Sequence, residues 1–434
     1  MLPRESASRH DHEHGTSFKH LTTCDKALQL VLSKLPKRAL EAEKVPVQQA
    51  LGRILSKDVV AQAHVPAFDR AAMDGFAVNA EDTYGASISA PVFLHNVGEI
   101  RIEEKPNLTL KRAESIAIVT GGQMPQGANA IVMIEHTRAM GKETVEITSE
   151  VHPAENVSRA GEDVERGSIV MTKGTRLLPQ DLGMLRALGL VEIEVAQKPR
   201  VAVLSTGNEL TDGDLREGNR IPDINRPTLM GALTELACEP VDLGIVPDQF
   251  DSIRDKLVEG IRDCDMVLVT AGTSVGPRDM VPNIIDSIGK PGMLVHGIAI
   301  RPSMPTGLAV VDGKPIVSLP GYPVSAYISF LEFVHPLICH ILDTNLPPRP
   351  RIRARLNRRI AGVLGSRTYV RVKVTMSNGV CMAEPVRTSG AGILSSLVQA
   401  NGFIIIPENV EGYEEDHEVE VELFRPLERK KSVN

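Results

Sequence analysis

The sequence lacks any CxxC motif or close pair of cysteines. Its five cysteines are spread over the 434 residues, at Cys24, Cys238, Cys264, Cys339 and Cys381. Zinc sites and disulfide frameworks both need cysteines in defined proximity, so this spacing disfavours both. Scattered thiols are typical of a protein from a reducing compartment.

An excess of basic residues is also absent. The chain has 48 Lys and Arg against 55 Asp and Glu, a formal net charge of −7. No overall basic field is therefore present to hold nucleic acid or an anionic membrane. An anionic ligand would have to be held locally, by backbone N–H groups, by a few basic side chains or by a metal ion.

Long hydrophobic runs are missing as well. No uninterrupted apolar stretch reaches the roughly 18 residues of a membrane span, and residues 1–20 have no apolar core of the signal-peptide type. We therefore expect a soluble, cytoplasmic protein with no membrane partner. The polar leader could be a metal-binding tail, but a disordered extension is the preferred interpretation; its histidines are His10, His12, His14 and His20.

The composition, with 42% apolar and 24% charged residues, is that of a globular α/β protein. Its length suggests about three domains. Periodicity predicts helices over Cys24–Leu35, Val47–Leu55 and Pro179–Leu188. Between them, strand-like pieces up to about Glu150, including Ser115–Val119 and Ala130–Ile134, indicate a β-rich module.

From Pro199 onward the pattern alternates between apolar strands and helices, which predicts a parallel sheet covered on both faces. The closing helix is predicted over Val324–Leu342, and a proline-rich linker follows at Ile341–Pro350. Short strands beyond the linker predict a small β-barrel or sandwich of about 80 residues.

Three loops of this α/β unit follow strands and precede helices, where open parallel sheets bind ligands. They read STGNEL, AGTSVGPRD and LPGYPVS, and none is a Walker or GxGxxG motif. Small residues at such turns are often only turn chemistry. Three loops in one unit favour an anion site, with exposed N–H and hydroxyl groups around phosphate. Its candidate binding residues are Ser205, Thr206, Gly207, Gly272, Thr273, Ser274, Gly276, Pro320, Gly321, Pro323 and Ser325.

Acidic residues in and near these loops suggest a hard cation, because Mg²⁺ prefers carboxylate oxygens together with substrate phosphates. The candidates are Glu209, Asp279, Asp248 and Asp163, with Glu209 and Asp279 as the predicted metal ligands. A helix cap explains Asp248 equally well, and a turn explains Asp163.

Six ordered segments together resemble the MoeA proteins and the gephyrin E domain. They read PAFDRAAMDGFAV, VTGGQMPQGANAIVMIEHT, AGEDVERG, STGNEL, TAGTSVGPRD and LPGYPVSA, and the similarity extends from about residue 20 to 425. The resemblance implies a homodimer that inserts molybdenum from molybdate into adenylylated molybdopterin with Mg²⁺, releasing AMP and molybdenum cofactor. A MogA-type adenylyltransferase would be its upstream partner.

The resemblance also implies a multi-domain α/β fold, with a β-rich module, a mixed helical segment, a MoaB/MogA-like parallel α/β domain and a C-terminal β-barrel. The expected boundaries are a leader at 1–20, a discontinuous helical part at 21–65 and 155–198, the β-rich part at 66–154, the α/β domain at 199–345, the barrel at 346–425 and a tail at 426–434. Residues that match functional positions of the family are Asp69, Asp74, Thr120, Asp163, Glu209, Asp248, Asp279, Pro320 and Pro323.

This chain departs from the family pattern where the family is basic. The usual KPGKP segment reads Arg301-Pro302-Ser303-Met304-Pro305, so one of its two cations remains, and an often basic position nearby is Gly297. Among the barrel residues, either Arg367 or Arg371 remains to bind the anion. A serine that is frequent in the family is Ala391 in this chain. Fewer cations should weaken phosphate or molybdate binding.

Two other functions are compatible with the same residues. A dimeric scaffold that has lost turnover would explain the missing cations. A tungstate-inserting enzyme would need no different pattern, because tungstate and molybdate are nearly isosteric.

Overall fold

The computed structural model describes residues 21–37, 40–141, 143–213, 220–270, 280–345, 348–377, 379–387 and 390–429. These residues divide into two compact units, one formed by residues 43–195 and the other by the remaining segments. Each unit is described by itself.

The β-rich module of the 43–195 unit is a six-stranded sheet. Its strands are β1 (Gly75–Val78), β2 (Val92–Ile100), β3 (Glu114–Ile118), β4 (Ala130–Met133), β5 (Thr137–Ala139) and β6 (Thr144–Ile147), in the order β4-β1-β3-β2-β6-β5. Neighbouring residues point to opposite faces of a strand. Phe76 and Val78 accordingly join one apolar cluster while Ala77 joins another, so both faces of the sheet are buried.

Short pairs of strands and one helix complete this unit. The helix Pro179–Ala187 and the 3₁₀ helix Val47–Gln49 pack around a core that includes Leu55, Leu177 and Val195. The other elements are the 3₁₀ helices Ala80–Thr83 and Ile134–His136 and the strand pairs Ala42–Pro46 with Glu192–Ala196, Val59–Val60 with Ile169–Met171, and Arg70–Ala71 with Val157–Ser158.

The predicted helix over Val47–Leu55 is wrong beyond Gln49. Gly52 has φ +74°, outside the helical region, and Ile54 and Leu55 pair in extended conformation with Arg176 and Val195. The apolar residues whose spacing suggested a helix lie instead in a turn and in the extended chain that follows it.

The second unit contains the predicted α/β domain. Its strands are β7 (Arg200–Thr206), β8 (Glu239–Val246), β9 (Met266–Thr270), β10 (Pro291–His296), β11 (Gly307–Val311) and β12 (Lys314–Leu319), in the order β8-β7-β9-β12-β11-β10. Its helices are Cys24–Leu32, Asn225–Glu235, Phe250–Asp263, Val281–Ile288 and Pro323–Ser329, the last continuing through the π-helical turn Phe330–Val334 into His335–Leu342.

The expected parallel sheet is confirmed for β8, β7, β9 and β12, but β11 is antiparallel to both of its neighbours. β11 and β12 form a hairpin whose turn is Asp312-Gly313, both with positive φ. An Asp-Gly pair is the usual sequence of such a tight turn.

The C-terminal strands close into a barrel. β13 (Arg351–Leu356), β14 (Arg367–Ser377), β15 (Val380–Arg387), β16 (Gly402–Ile406) and β17 (Glu418–Leu423) pair in the cycle β14-β15-β13-β17-β16-β14. The strand Ile300–Arg301 adds to β14 and therefore joins the α/β domain to the barrel. The remaining elements are the helix Ser395–Gln399, the strand pairs Ile360–Ala361 with Gly412–Tyr413 and Leu210–Thr211 with Ile221–Pro222, and the strand Glu428–Arg429 on β14.

Among the described residues, one helical stretch, 323–342, is long and apolar enough to cross a membrane by length and composition alone. Of its most apolar window, 56% is buried. Core helices of globular domains pass the same test.

Candidate active site

Buried hydroxyl groups mark the carboxyl ends of three adjacent parallel strands. Ser205 Oγ lies 3.0 Å from Thr270 Oγ1, joining β7 to β9, and both side chains are buried. Thr206 Oγ1 and Ser318 Oγ, at the ends of β7 and β12, are buried without a hydrogen-bond partner among the described residues. A buried hydroxyl left without a partner costs about 1–3 kcal/mol. Such groups are candidates for contact with a ligand.

Glu209 is exposed in the loop after β7, and its position depends on Gly207. A Cβ atom on Gly207 would lie 2.8 Å from a carboxylate oxygen of Glu209, and the φ of Gly207 is +152°. This loop is linked to the one after β8, because the backbone N–H of Asp248 donates to Asn208 Oδ1 at 3.2 Å. The predicted acids Glu209 and Asp248 therefore lie on neighbouring loops, and both are exposed.

The LPGYPVS loop is joined to the segment that follows the 207–211 loop. Asn225 Nδ2 donates to the carbonyl oxygen of Gly321 at 2.8 Å, and Asn225 is 8% exposed. Pro320, Pro323 and Ser325 are buried, whereas Gly321 is exposed.

Sequence reasoning missed Asn225. The signal was the Asp-Ile-Asn sequence before a helix, since Asp223 Oδ1 accepts hydrogen bonds from the backbone N–H groups of Asn225 and Arg226. The neighbouring Arg226 supports the fold, because it forms ion pairs with Asp212, with Asp223 at 3.5 Å and with Asp242 at 3.1 Å.

The barrel reaches the same loop through the turn at residues 390–391. The backbone N–H of Val324 donates to the carbonyl oxygen of Ala391 at 3.1 Å. Arg371, which is 3% exposed, donates from Nη1 to the carbonyl oxygen of Gly390 at 3.3 Å. Arg371 and Ala391 therefore both lie near the start of the helix Pro323–Ser329.

Of the two candidate arginines of the barrel, Arg367 is held by carboxylates. It forms ion pairs with Glu332, with Asp25 at 3.0 Å and with Glu408 at 3.2 Å. Burial lowers its pKa, but these carboxylates outweigh burial and leave the pKa raised. With three acidic partners, Arg367 is a poor anion ligand, and Arg371 is the better candidate.

Arg301 is exposed at the end of the strand Ile300–Arg301, and Met304, in place of the family's second cation, is half-buried. Gly297 follows β10 with φ +94°, a backbone conformation that a basic L-residue would adopt only with strain. Arg301 is thus the cation that the 301–305 segment offers.

The predicted residues of the 43–195 unit make local hydrogen bonds. Asp74 Oδ1 accepts from the backbone N–H and the hydroxyl of Thr120, at 2.6 and 2.7 Å. The backbone N–H of Thr120, followed by its hydroxyl, lowers the pKa of Asp74. Asp69 Oδ1 accepts from the backbone N–H of Ala160 at 2.7 Å. The backbone N–H of Asp163, in the same loop, donates to Val65.

Gly272, Thr273, Ser274, Gly276 and Asp279 lie outside the described residues. Within the described part of the chain, no group of three His, Cys, Asp or Glu side chains is placed to hold a metal ion. The exposed carboxylates on the loops after β7 and β8 are nevertheless donors of the type that Mg²⁺ takes together with substrate phosphates.

Three family profiles match the chain. The MoeA N-terminal region (domain I and II) matches residues 22–189, a probable molybdopterin binding domain matches residues 202–340, and the MoeA C-terminal region (domain IV) matches residues 353–424.

Full-length relatives agree with the profiles. A putative molybdopterin biosynthesis protein of Methanocaldococcus jannaschii is 35% identical, covering 94% of this chain and 99% of its own. A molybdopterin molybdenumtransferase of Bacillus subtilis is 34% identical, covering 89% and 90%. Among solved structures, the molybdopterin biosynthesis MoeA protein of Pyrococcus horikoshii OT3 gives a TM-score of 0.80 at 32% identity, covering 93% of this chain and 100% of that one.

Proposed function

Because this chain belongs to the MoeA family and is a molybdopterin molybdenumtransferase of molybdenum cofactor biosynthesis, we propose that its substrates are adenylylated molybdopterin and molybdate. In this reaction water would cleave the phosphoanhydride bond, so that AMP leaves with the oxygen of that water. The two dithiolene sulfurs would replace an oxygen of molybdate, which leaves as water with the two thiol protons, and the oxidation state of molybdenum does not change. The observation that carries the proposal is that the start of the helix Asn225–Glu235 and the barrel turn near Arg371 both bond to the LPGYPVS loop, through Asn225 and Val324.

Catalysis here rests on positioning and charge rather than on a covalent nucleophile. Burial raises the pKa of the Cys238 thiol to about 12, and burial also raises the pKa values of Cys24 and Cys264. These three thiols are therefore protonated near neutral pH and are poor nucleophiles.

The anionic ends of the substrates have separate partners in this arrangement. Arg301 and Arg371 supply positive charge, while Ser205, Thr206 and the amides of the LPGYPVS loop supply neutral donors. Glu209 and Asp279 would hold Mg²⁺, which would neutralise phosphate charge beside them. For Asp69, Asp74 and Thr120 of the 43–195 unit, whose side chains are exposed, we propose a substrate-facing role.

We further propose that the protein works in the cytoplasm as a homodimer and receives its substrate from a MogA-type adenylyltransferase. The net charge of −7 gives it no general affinity for nucleic acid.

The deciding experiment mixes purified protein, adenylylated molybdopterin and molybdate, with and without Mg²⁺, and measures release of AMP and formation of cofactor. We expect both products only with Mg²⁺, and strong loss in Glu209→Gln. Glu239→Gln is the matched control, because Glu239 begins β8, at the amino-terminal end of the strand, and pairs with Arg200 at 3.3 Å.

A protein that binds the substrates but releases no AMP would overturn catalysis in favour of a scaffold. Formation of cofactor from tungstate in preference to molybdate would mean that the enzyme inserts tungsten, and the proposed site would stay the same.

A further inference from the structure

Ser303 has a backbone conformation that favours glycine. It lies in the segment between β10 and β11, where the family pattern has Gly, and its φ is +129°. Non-glycine residues rarely adopt this region because their Cβ atom crowds the backbone. Ser303 is nevertheless 3% exposed, so a polar side chain is kept in a strained and buried position. A contact that only a side chain can make would explain this.

That contact joins two parts of the candidate active site. Ser303 Oγ donates to the carbonyl oxygen of Ser325 at 2.8 Å. Ser303 lies two residues after Arg301, and Ser325 lies in the first turn of the helix that follows LPGYP. The Ser303 hydroxyl therefore fastens the part of the segment next to the exposed guanidinium to the loop proposed to hold the anion.

Other bonds close the segment on itself. The Ser303 carbonyl oxygen accepts from the backbone N–H of Thr306 at 3.1 Å and from its hydroxyl at 2.7 Å. The backbone N–H of Ile298 donates to Met304 at 2.8 Å. Thr306 Oγ1 also lies 2.6 Å from Ser329 Oγ on the same helix. The segment is thus a closed loop with two hydroxyl contacts to the helix.

We propose that Ser303 is a positioning residue for the oxyanion: through its bond to Ser325 it holds Arg301 in the geometry that binds molybdate. This inference rests on the proposed function of the site. With Met304 in place of a second cation, the affinity depends on how well the remaining cation is placed. A cation held in place binds with less loss of conformational freedom than a mobile one.

The test compares molybdate KM and kcat of the full-length protein for Ser303→Ala, Arg301→Ala and the double variant. We expect Ser303→Ala to raise KM by about three- to tenfold, as one lost hydrogen bond does, with kcat little changed. In the Arg301→Ala background, Ser303→Ala should add nothing, since it acts through Arg301. Ser329→Ala is the control, because it deletes a buried hydroxyl of the same helix and should lower thermal stability without changing KM.

Three results would overturn the proposal: an unchanged KM in Ser303→Ala, an equal rise in the Arg301→Ala background, or an equal rise in Ser329→Ala. If Ser303→Ala does not fold, Ser303→Gly replaces it, because glycine accepts this φ and also lacks the hydroxyl. Calorimetric binding of molybdate to the same variants separates this inference from the proposed function. A wild type that binds molybdate without turnover contradicts the function, while the coupling of Ser303 to Arg301 is still measured.

Discussion

The side-chain amide of Asn225 donates a hydrogen bond to the carbonyl oxygen of Gly321 at 2.8 Å, joining residues 96 positions apart in the chain. Asn225 is itself held in place, because Asp223 accepts a hydrogen bond from its backbone N–H at 3.1 Å. The conformation of the LPGYPVS loop therefore depends on a helix start that lies far from it in sequence.

Asn225→Asp is expected to reduce kcat/KM of cofactor formation by about tenfold, a barrier change of about 1.4 kcal/mol. The substitution keeps the shape of the side chain but places a carboxylate oxygen against a carbonyl oxygen, which breaks the bond and repels the loop. Steady-state kinetics measure the effect. Asn409→Asp, at an exposed position of the barrel, is the control; equal losses in both would show that the Gly321 contact is unimportant.

Gly207→Ala is expected to remove most of the activity while leaving the protein folded. The new Cβ atom would lie 2.8 Å from the Glu209 carboxylate, so that side chain must move away. AMP release and circular dichroism together test the prediction.

Gly231→Ala is the matched control for this substitution. Gly231 lies in the helix Asn225–Glu235 with open space around its Cβ position, so alanine should stabilise the helix by up to about 1 kcal/mol. Full activity of Gly207→Ala would show that the observed position of Glu209 is not needed.

Arg367→Met is expected to destabilise the protein by on the order of 3 kcal/mol, because it leaves Glu332 and Glu408 partly buried without their cation. Thermal unfolding of the full chain measures the loss as a lower midpoint. Arg353→Met removes a pair that is 82% exposed on the arginine side and should cost less than about 1 kcal/mol.

The same variant tests the choice between the two barrel arginines. Molybdate affinity of the folded fraction of Arg367→Met should stay near that of the wild type, whereas Arg371→Met should weaken it. The reverse order of affinities would make Arg367 the anion ligand.

The Asp74 carboxyl should titrate below its ordinary pKa of 3.8, because the backbone N–H and then the hydroxyl of Thr120 bond to its charged form. A folded-state pKa below the unfolded value stabilises the fold above the unfolded pKa. That stability is lost as the pH falls through the lowered value.

Thr120→Val should raise the pKa of Asp74 only part of the way, since the backbone N–H remains. Carbon-detected NMR titration of the carboxyl measures it, with Thr109→Val as a control in the same unit. A pKa of Asp74 that is unchanged in Thr120→Val would mean that the hydroxyl contact is absent in solution.

The sequence by itself determined the family, the order of strands and helices after residue 199 and the loops at which we propose the site. It could do so because apolar periodicity and turn residues are local properties, read within about ten neighbours. The antiparallel direction of β11 could also be predicted from the sequence, because the Asp312-Gly313 turn between β11 and β12 is a local signal for a hairpin.

Only the tertiary structure shows the partners of Arg367, Arg371, Asn225 and Ser303, on which their proposed roles rest. Arg367 is paired with Asp25, 342 positions away, and Ser303 with Ser325, in contacts that no local pattern encodes. The turn at Gly52 likewise replaced a predicted helix because Ile54 and Leu55 find extended partners more than a hundred residues later. Whether a side chain binds substrate or supports the fold depends on which partners surround it, and those partners are set when distant segments pack together.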